Sequence, residues 1–142
     1  MTDDYLYAFK GRFTSALRWH QLDALWDAVR SQNDGAWFIY AVGETPPAEA
    51  ASIEQFEHFL TEIDRLLREE HDEEYCGIVY ADHLQTPAYI KIFDPNNLGV
   101  SCGYSDNPPL PGWILSRIPP VNLPEAMQPP KNRRRWWLKI FH

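Results

Sequence analysis

Apolar side chains recur at helical spacing in two segments of the chain. Between Phe13 and Ser31 they fall every three or four residues with polar side chains between them, and residues 33–35 (NDG) form a stop signal. The second segment starts at Ser52, which has the capping-box spacing to Gln55. The apolar positions of this segment are Ile53, Phe56, Phe59, Leu60, Ile63, Leu66 and Leu67. The pattern predicts two amphipathic helices, each with one face toward a core.

Short apolar runs rich in aromatic and β-branched residues predict the strands. Residues 36–42 form a nearly continuous run, which favours a strand covered on both faces and central in a sheet. Residues 75–81, 88–93 and 113–118 are further strand-like runs, and residues 100–104 follow a turn-rich segment as a hairpin partner. We therefore predict an α+β fold, with a mainly antiparallel four- or five-stranded sheet and two helices packed on it. If residues 36–42 and 75–81 are parallel neighbours, the link through the second helix is a right-handed crossover.

Prolines change the character of the chain after residue 105. Eight of the twelve prolines lie between Pro108 and Pro130, which excludes helix there apart from a turn near residues 125–128. We expect a single α+β domain over residues 1–118. Residues 119–142 are predicted to form a proline-rich extended segment and a basic aromatic tail that pack on the same domain. The chain shows no secretory signal and no apolar run long enough to span a membrane, so we expect a cytoplasmic protein.

Charge is distributed unevenly along the sequence. The net charge is −7, yet five of the 13 Lys and Arg residues stand among the last twelve residues, where there is no acid. This balance argues against a nucleic-acid binder, because neutralising phosphates needs an excess of basic side chains. The second helix carries a strongly acidic face instead. The candidate protein-binding residues are the cationic aromatic group Arg133, Arg134, Arg135, Trp136 and Trp137 and the acidic group Glu69, Glu70 and Glu73.

The tail has three interpretations from sequence. Residues 135–141 alternate as a last strand would, with the arginines resting against the acidic second helix. The same residue types suit an exposed peptide that docks on a protein partner, because Trp and Arg are preferred interface anchors. They also suit an interfacial membrane anchor, although the acidic body would be repelled by an anionic membrane.

The composition favours a small acidic, non-enzymatic accessory or adaptor protein that binds another protein, as small acidic inhibitors and immunity proteins do. The sequence does not specify the partner and leaves self-association open. The alternative is a small enzyme or ligand-binding domain with an aromatic-lined pocket between the sheet and the helices. The candidate lining residues are Tyr40, Tyr80, Asp82, His83, Tyr89, Lys91, Asp94, Trp113 and Arg117.

Residues 99–103 (GVSCG) match the Gly-x-Ser-x-Gly spacing of a hydrolase nucleophile elbow. An elbow needs a helix after the serine, whereas the proline-rich sequence that follows cannot form one, and only His142 follows as a base. We therefore predict strand or bulge glycines and assign no catalytic residue. Cys76 and Cys102 do not make a disulfide framework and are predicted to be buried thiols. The acidic neighbourhood of Cys76 also favours the thiol over the reactive thiolate.

A metal site has weak support in the sequence. His58 lies four residues from both Glu54 and Glu62, so the three share one face of the predicted helix. Zinc sites usually show tighter Cys and His pairs. We predict a histidine at the edge of the core, with no metal and no cofactor.

Overall fold

The computed structural model describes residues 2–96 and 110–127. Within these ranges five strands form an antiparallel sheet in the order β1-β3-β4-β5-β2, and the predicted α+β class is confirmed. The elements are, in chain order, α1 (Thr2–Phe9), β1 (Thr14–Ser15), α2 (Trp19–Ser31), β2 (Phe38–Ala41), α3 (Ile53–Glu70), β3 (Val79–Ala81), β4 (Tyr89–Ile92), β5 (Trp113–Ser116) and α4 (Leu123–Ala126).

The predicted start of the first long helix at Phe13 is wrong. α2 begins at Trp19, and the extended backbone of Arg18 forms its N-cap. The residues before it form β1, in which Thr14 pairs with Ala81 of β3. Phe13 packs on the sheet instead, and its ring centroid lies 5.7 Å from that of Tyr89. The sequence analysis did not predict the short helix α1.

The predicted central position of residues 36–42 is also wrong. β2 stands at the end of the strand order and pairs with β5, so β2 and β3 are not neighbours. Both faces of β2 are nevertheless covered. Ile39 packs against one core cluster, and Tyr40 is buried in the other. The continuous apolar run therefore reports two covered faces rather than a central place in the sheet.

The first face of the sheet carries the larger core, on which α2 and α3 pack. Burial of each large apolar side chain of these two helices contributes roughly 1.5 to 3 kcal/mol to the stability of the fold. The buried residues of the two helices are Leu22, Leu25, Trp26 and Val29 in α2 and Phe56, Leu60, Ile63 and Leu67 in α3. They meet Val79, Ala81, Ile90, Ile92 and Leu115 of the sheet.

The second face carries a smaller cluster that includes side chains of α1 and α4: Tyr5, Tyr40, Tyr89, Ile114 and Leu123. The backbone N–H of Leu123 donates a hydrogen bond of 3.2 Å to the Tyr40 hydroxyl, which ties α4 to the sheet. α4 occurs near the turn predicted at residues 125–128, and it begins earlier, after the Asn122 N-cap. The predicted strand at residues 100–104 lies outside the described residues.

Candidate functional site

Ion pairs between α2 and α3 neutralise part of the acidic face. Arg68 bonds Asp64 one turn before it in α3 and also reaches Asp23 of α2, at 2.5 Å. Arg30 of α2 bonds Glu57 of α3 at 2.6 Å. Arg65 pairs with Glu62. Each acid in the middle of α3, Glu57, Glu62 and Asp64, therefore has an arginine partner.

Uncompensated acids are concentrated where α3 ends. Glu69, Glu70, Asp72, Glu73 and Glu74 are all exposed, and none of them forms an ion pair with another residue in the described part of the chain. We call residues 69–74 the acidic turn. Its negative charge adjoins the carboxyl end of a helix, which already carries a partial negative charge.

Two large apolar side chains are exposed beside the acidic turn. Tyr75 is 46% exposed and Leu17 is 49% exposed. They are neighbours across Gly77, because a Cβ atom on Gly77 would lie 3.3 Å from the Tyr75 ring and 3.8 Å from a Leu17 methyl carbon. The acidic turn together with Leu17 and Tyr75 is called the acidic-apolar patch below.

Hydrogen bonds and ring contacts hold the acidic-apolar patch in place. The indole N–H of Trp19 donates to the Glu73 carbonyl at 3.0 Å, and the Cys76 N–H donates to the Leu17 carbonyl at 2.7 Å. The Arg68 guanidinium lies over the Trp19 ring, 4.9 Å from its centroid. The turn is thereby fixed against the start of α2, which lowers the entropy that a partner would have to remove on binding.

A pocket of about 330 Å³ lies beside Gly77 and is lined by Phe13, Gly77, Ile78, Tyr80, Lys91 and Phe93. Two of its rings, those of Tyr80 and Phe93, pack edge to face with their centroids 5.7 Å apart. Lys91 supplies the cation. Its ammonium nitrogen lies 3.9 Å from the centroid of the Phe13 ring and 4.1 Å from that of Phe9. Burial lowers the pKa of Lys91, because desolvation opposes the charged form.

Most of the residues predicted to line a ligand pocket are elsewhere. Asp82 closes the turn between β3 and β4, where its carboxylate accepts three backbone N–H bonds, and His83 is exposed in that turn. Arg117 donates to Asp34 at 2.7 Å and lies over the Trp37 ring. The structure brings together Tyr80 and Lys91 from the predicted set. Trp113 and Asp94 line a separate depression, and Tyr40 and Tyr89 are in the second core cluster.

The Tyr89 hydroxyl is a core group rather than a ligand contact. Tyr89 is 2% exposed and packs against Tyr5, with ring centroids 5.1 Å apart. Neither hydroxyl has a hydrogen-bond partner in the described structure. Burial raises the pKa of both, so both hydroxyls stay protonated at neutral pH.

The sequence also suggested a reactive thiol, a metal site and a catalytic serine as candidates. Cys76 is buried, and burial raises the pKa of its thiol, which favours the unreactive form. His58 is exposed on α3, and residues 2–96 and 110–127 contain no group of three His, Cys, Asp or Glu side chains placed to hold a metal ion. The GVSCG motif and Cys102 lie outside the described residues.

The acidic half of the predicted protein-binding set belongs to the acidic-apolar patch. Glu69 and Glu70 end α3, and Glu73 stands in the turn that follows. The basic half, residues 133–137, lies outside the described residues. Sequence reasoning missed Leu17 and Tyr75. An apolar residue just before the α2 cap and a tyrosine directly after an acidic run were the available signals.

No protein-family model matches the chain, and neither the curated proteins nor the solved structures contain a match. Among the described helices, none combines the length and the apolar character that crossing a bilayer requires. The function of this chain therefore has to be inferred from the site itself.

Proposed function

We propose that this protein is a non-enzymatic accessory protein that binds a basic surface of another protein through the acidic-apolar patch. The observation that carries the proposal is the meeting of uncompensated acids with two exposed apolar side chains, Leu17 and Tyr75, on a fixed turn. Each component has a separate physical role in association.

The acidic turn would supply long-range attraction and orientation. Five acidic side chains within six residues concentrate negative potential at one end of α3, and such a potential accelerates encounter with an oppositely charged surface. The attraction between exposed charges falls with ionic strength, because the screening length is about 8 Å at physiological salt. Binding by this surface should therefore weaken as salt is added.

Leu17 and Tyr75 would supply the short-range contact. Tyrosine is enriched among the residues that dominate binding energy, because its ring buries a large area and its hydroxyl still forms a hydrogen bond. The surrounding acids exclude nonspecific apolar partners, since an approaching surface without basic groups would leave carboxylates desolvated and unpaired.

The test is a comparison of two charge-matched triple variants. The patch variant is Glu69→Gln, Glu70→Gln and Glu73→Gln, and the control variant is Asp27→Asn, Glu44→Gln and Glu49→Gln, which neutralises three exposed acids elsewhere. Proteins captured by the wild-type chain from lysate of the source cell are identified and purified, and their dissociation constants for all three chains are measured at low and moderate salt.

We expect a partner that binds the wild-type chain and the control variant with similar affinity, and the patch variant at least tenfold more weakly. The Tyr75→Ser variant should also lose affinity while keeping the salt dependence. Equal binding of the patch and control variants would refute the assignment of the surface, and salt-independent binding would refute the electrostatic role of the acidic turn.

A further inference from the structure

The pocket beside Gly77 lies on the second face of the sheet, next to β1. Tyr80 and Lys91 are register partners in β3 and β4, so their side chains share this face. Phe13 closes one side, and Phe93 lies against Tyr80. The walls are thus aromatic and aliphatic, with a volume at the lower end of the range for small-molecule sites.

Lys91 is the one cationic group in the lining of this pocket. Its ammonium has three donors, and none has an acceptor in the described residues. No carboxylate there lies within ion-pair distance of it either. The faces of the Phe9 and Phe13 rings attract the cation but accept no conventional hydrogen bond. A half-buried ammonium among apolar walls is therefore complementary to an anionic oxygen.

We propose that this pocket binds a small monoanionic ligand with an apolar body, such as an aromatic or short-chain carboxylate. The carboxylate would accept hydrogen bonds from Lys91, and its hydrocarbon part would lie between Phe13, Tyr80 and Phe93. A single cation matches a single negative charge. A dianionic phosphate would keep one charge uncompensated.

This site is independent of the proposed protein-binding surface. They share no residue: Gly77 lines the pocket and lies beside Tyr75, but it is not part of the acidic-apolar patch. The ligand chemistry is also opposite, because the acidic-apolar patch suits a cation and the pocket suits an anion. Loss of either activity would leave the other testable.

The experiment is a titration of the ¹⁵N-labelled full chain with 3-phenylpropionate, followed by NMR, and a parallel titration with the neutral 3-phenylpropanamide. The two probes share the apolar body and differ in charge. We expect the carboxylate to bind at least about tenfold more tightly, as a charge-assisted hydrogen bond predicts. The shifted amides should cluster at residues 77–80 and 91–93.

Two variants assign the preference to its residue. Lys91→Met keeps most of the side-chain volume and should remove the preference for the carboxylate while leaving weak binding of both probes. Lys10→Met, which changes an exposed lysine just after α1, should bind as the wild-type chain does. The proposal is overturned by equal affinity for the two probes on the wild-type chain, by no saturable binding at millimolar concentration, or by shifted amides remote from the pocket.

Discussion

The contact between Trp26 and Asp64 offers a sharp test of how α2 and α3 are held together. Trp26 is 2% exposed, and its indole N–H donates a 3.0 Å hydrogen bond to the Asp64 carboxylate. Asp64 also bonds Arg68, which reaches Asp23 of α2. We predict that Trp26→Phe and Asp64→Ala are coupled, so that their effects on the free energy of unfolding do not add.

The magnitude follows from the burial of the two groups. A hydrogen bond to a charged acceptor contributes about 1.5 to 3 kcal/mol when well shielded. The Asp64 side chain is 28% exposed and stays partly hydrated, so we expect a coupling at or below the lower end of this range, about 1 to 1.5 kcal/mol. Trp26→Phe also removes buried ring atoms, which adds about 1 to 2 kcal/mol of lost packing.

Urea unfolding followed by far-ultraviolet circular dichroism measures the four free energies of the cycle, and this signal does not depend on the tryptophan that is replaced. The control cycle combines Trp26→Phe with Glu49→Ala, an exposed loop residue, and should be additive to within about 0.5 kcal/mol. A coupling below about 0.5 kcal/mol for Trp26 and Asp64 would likewise fall within additive behaviour. It would show that the bond contributes no more than the hydration that it replaces.

Three further predictions concern stability. The hydrogen bond from Arg117 holds the pKa of Asp34 in the folded protein below its ordinary value of 3.8. The ionised Asp34 therefore stabilises the folded state fully above pH 3.8, and this stabilisation is lost as the pH falls through the lower pKa of the folded protein. Arg117→Met should flatten this acid limb in urea midpoints measured between neutral pH and pH 3, and an unchanged limb would contradict the pairing. Gly77→Ala should cost about 1 to 2 kcal/mol, since Gly77 has a φ of +70° and the added Cβ would lie 3.3 Å from the Tyr75 ring, which would have to shift slightly. A thermal melt unchanged from the wild type would contradict this. Glu70→Gln should raise the unfolding free energy by about 0.3 to 1 kcal/mol in low salt, because Glu70 ends α3; a loss of stability would count against the dipole argument.

Local interactions made α3 predictable from sequence. Ser52 and Gln55 form the reciprocal capping box that their spacing indicates, with the Gln55 N–H donating to the Ser52 hydroxyl at 3.1 Å. Phe56 and Leu60 face the core from the apolar stripe. All of these interactions join residues within one or two helical turns, so the sequence pattern alone specifies them.

Strand pairing was not predictable in the same way. The position of β2 at the edge of the sheet depends on its pairing with β5, far along the chain, and no periodicity within residues 36–42 contains that information. The predicted start of α2 was wrong for a related reason. Phe13 has the spacing of a helical apolar stripe, but β1 pairs with β3, and tertiary pairing overrides a local pattern.

The candidate site also has a part that the local sequence predicts and a part that depends on tertiary contacts. The acids of residues 69–74 are close together in the chain, so their charge density is visible in the sequence. Leu17, in contrast, is brought to Tyr75 by backbone pairing between distant segments, such as the hydrogen bond from the Cys76 N–H to the Leu17 carbonyl. The fold also redistributes the charge that the sequence displays. Arg30 reaches from α2 to neutralise Glu57, and Arg68 is shared between Asp23 and Asp64.

This redistribution changes what the acidic helix can do. The sequence indicates an acidic face along the whole of α3, which would attract a basic partner anywhere on that face. In the structure, arginines pair with Glu57, Glu62 and Asp64 in the middle of the helix, and the densest group of uncompensated carboxylates lies at residues 69–74, beside the exposed side chains of Leu17 and Tyr75. Under the proposed function, a partner attracted by charge would therefore be guided to the place where apolar contact is available. Neutralising acids within the acidic turn should weaken association far more than neutralising the same number of acids elsewhere.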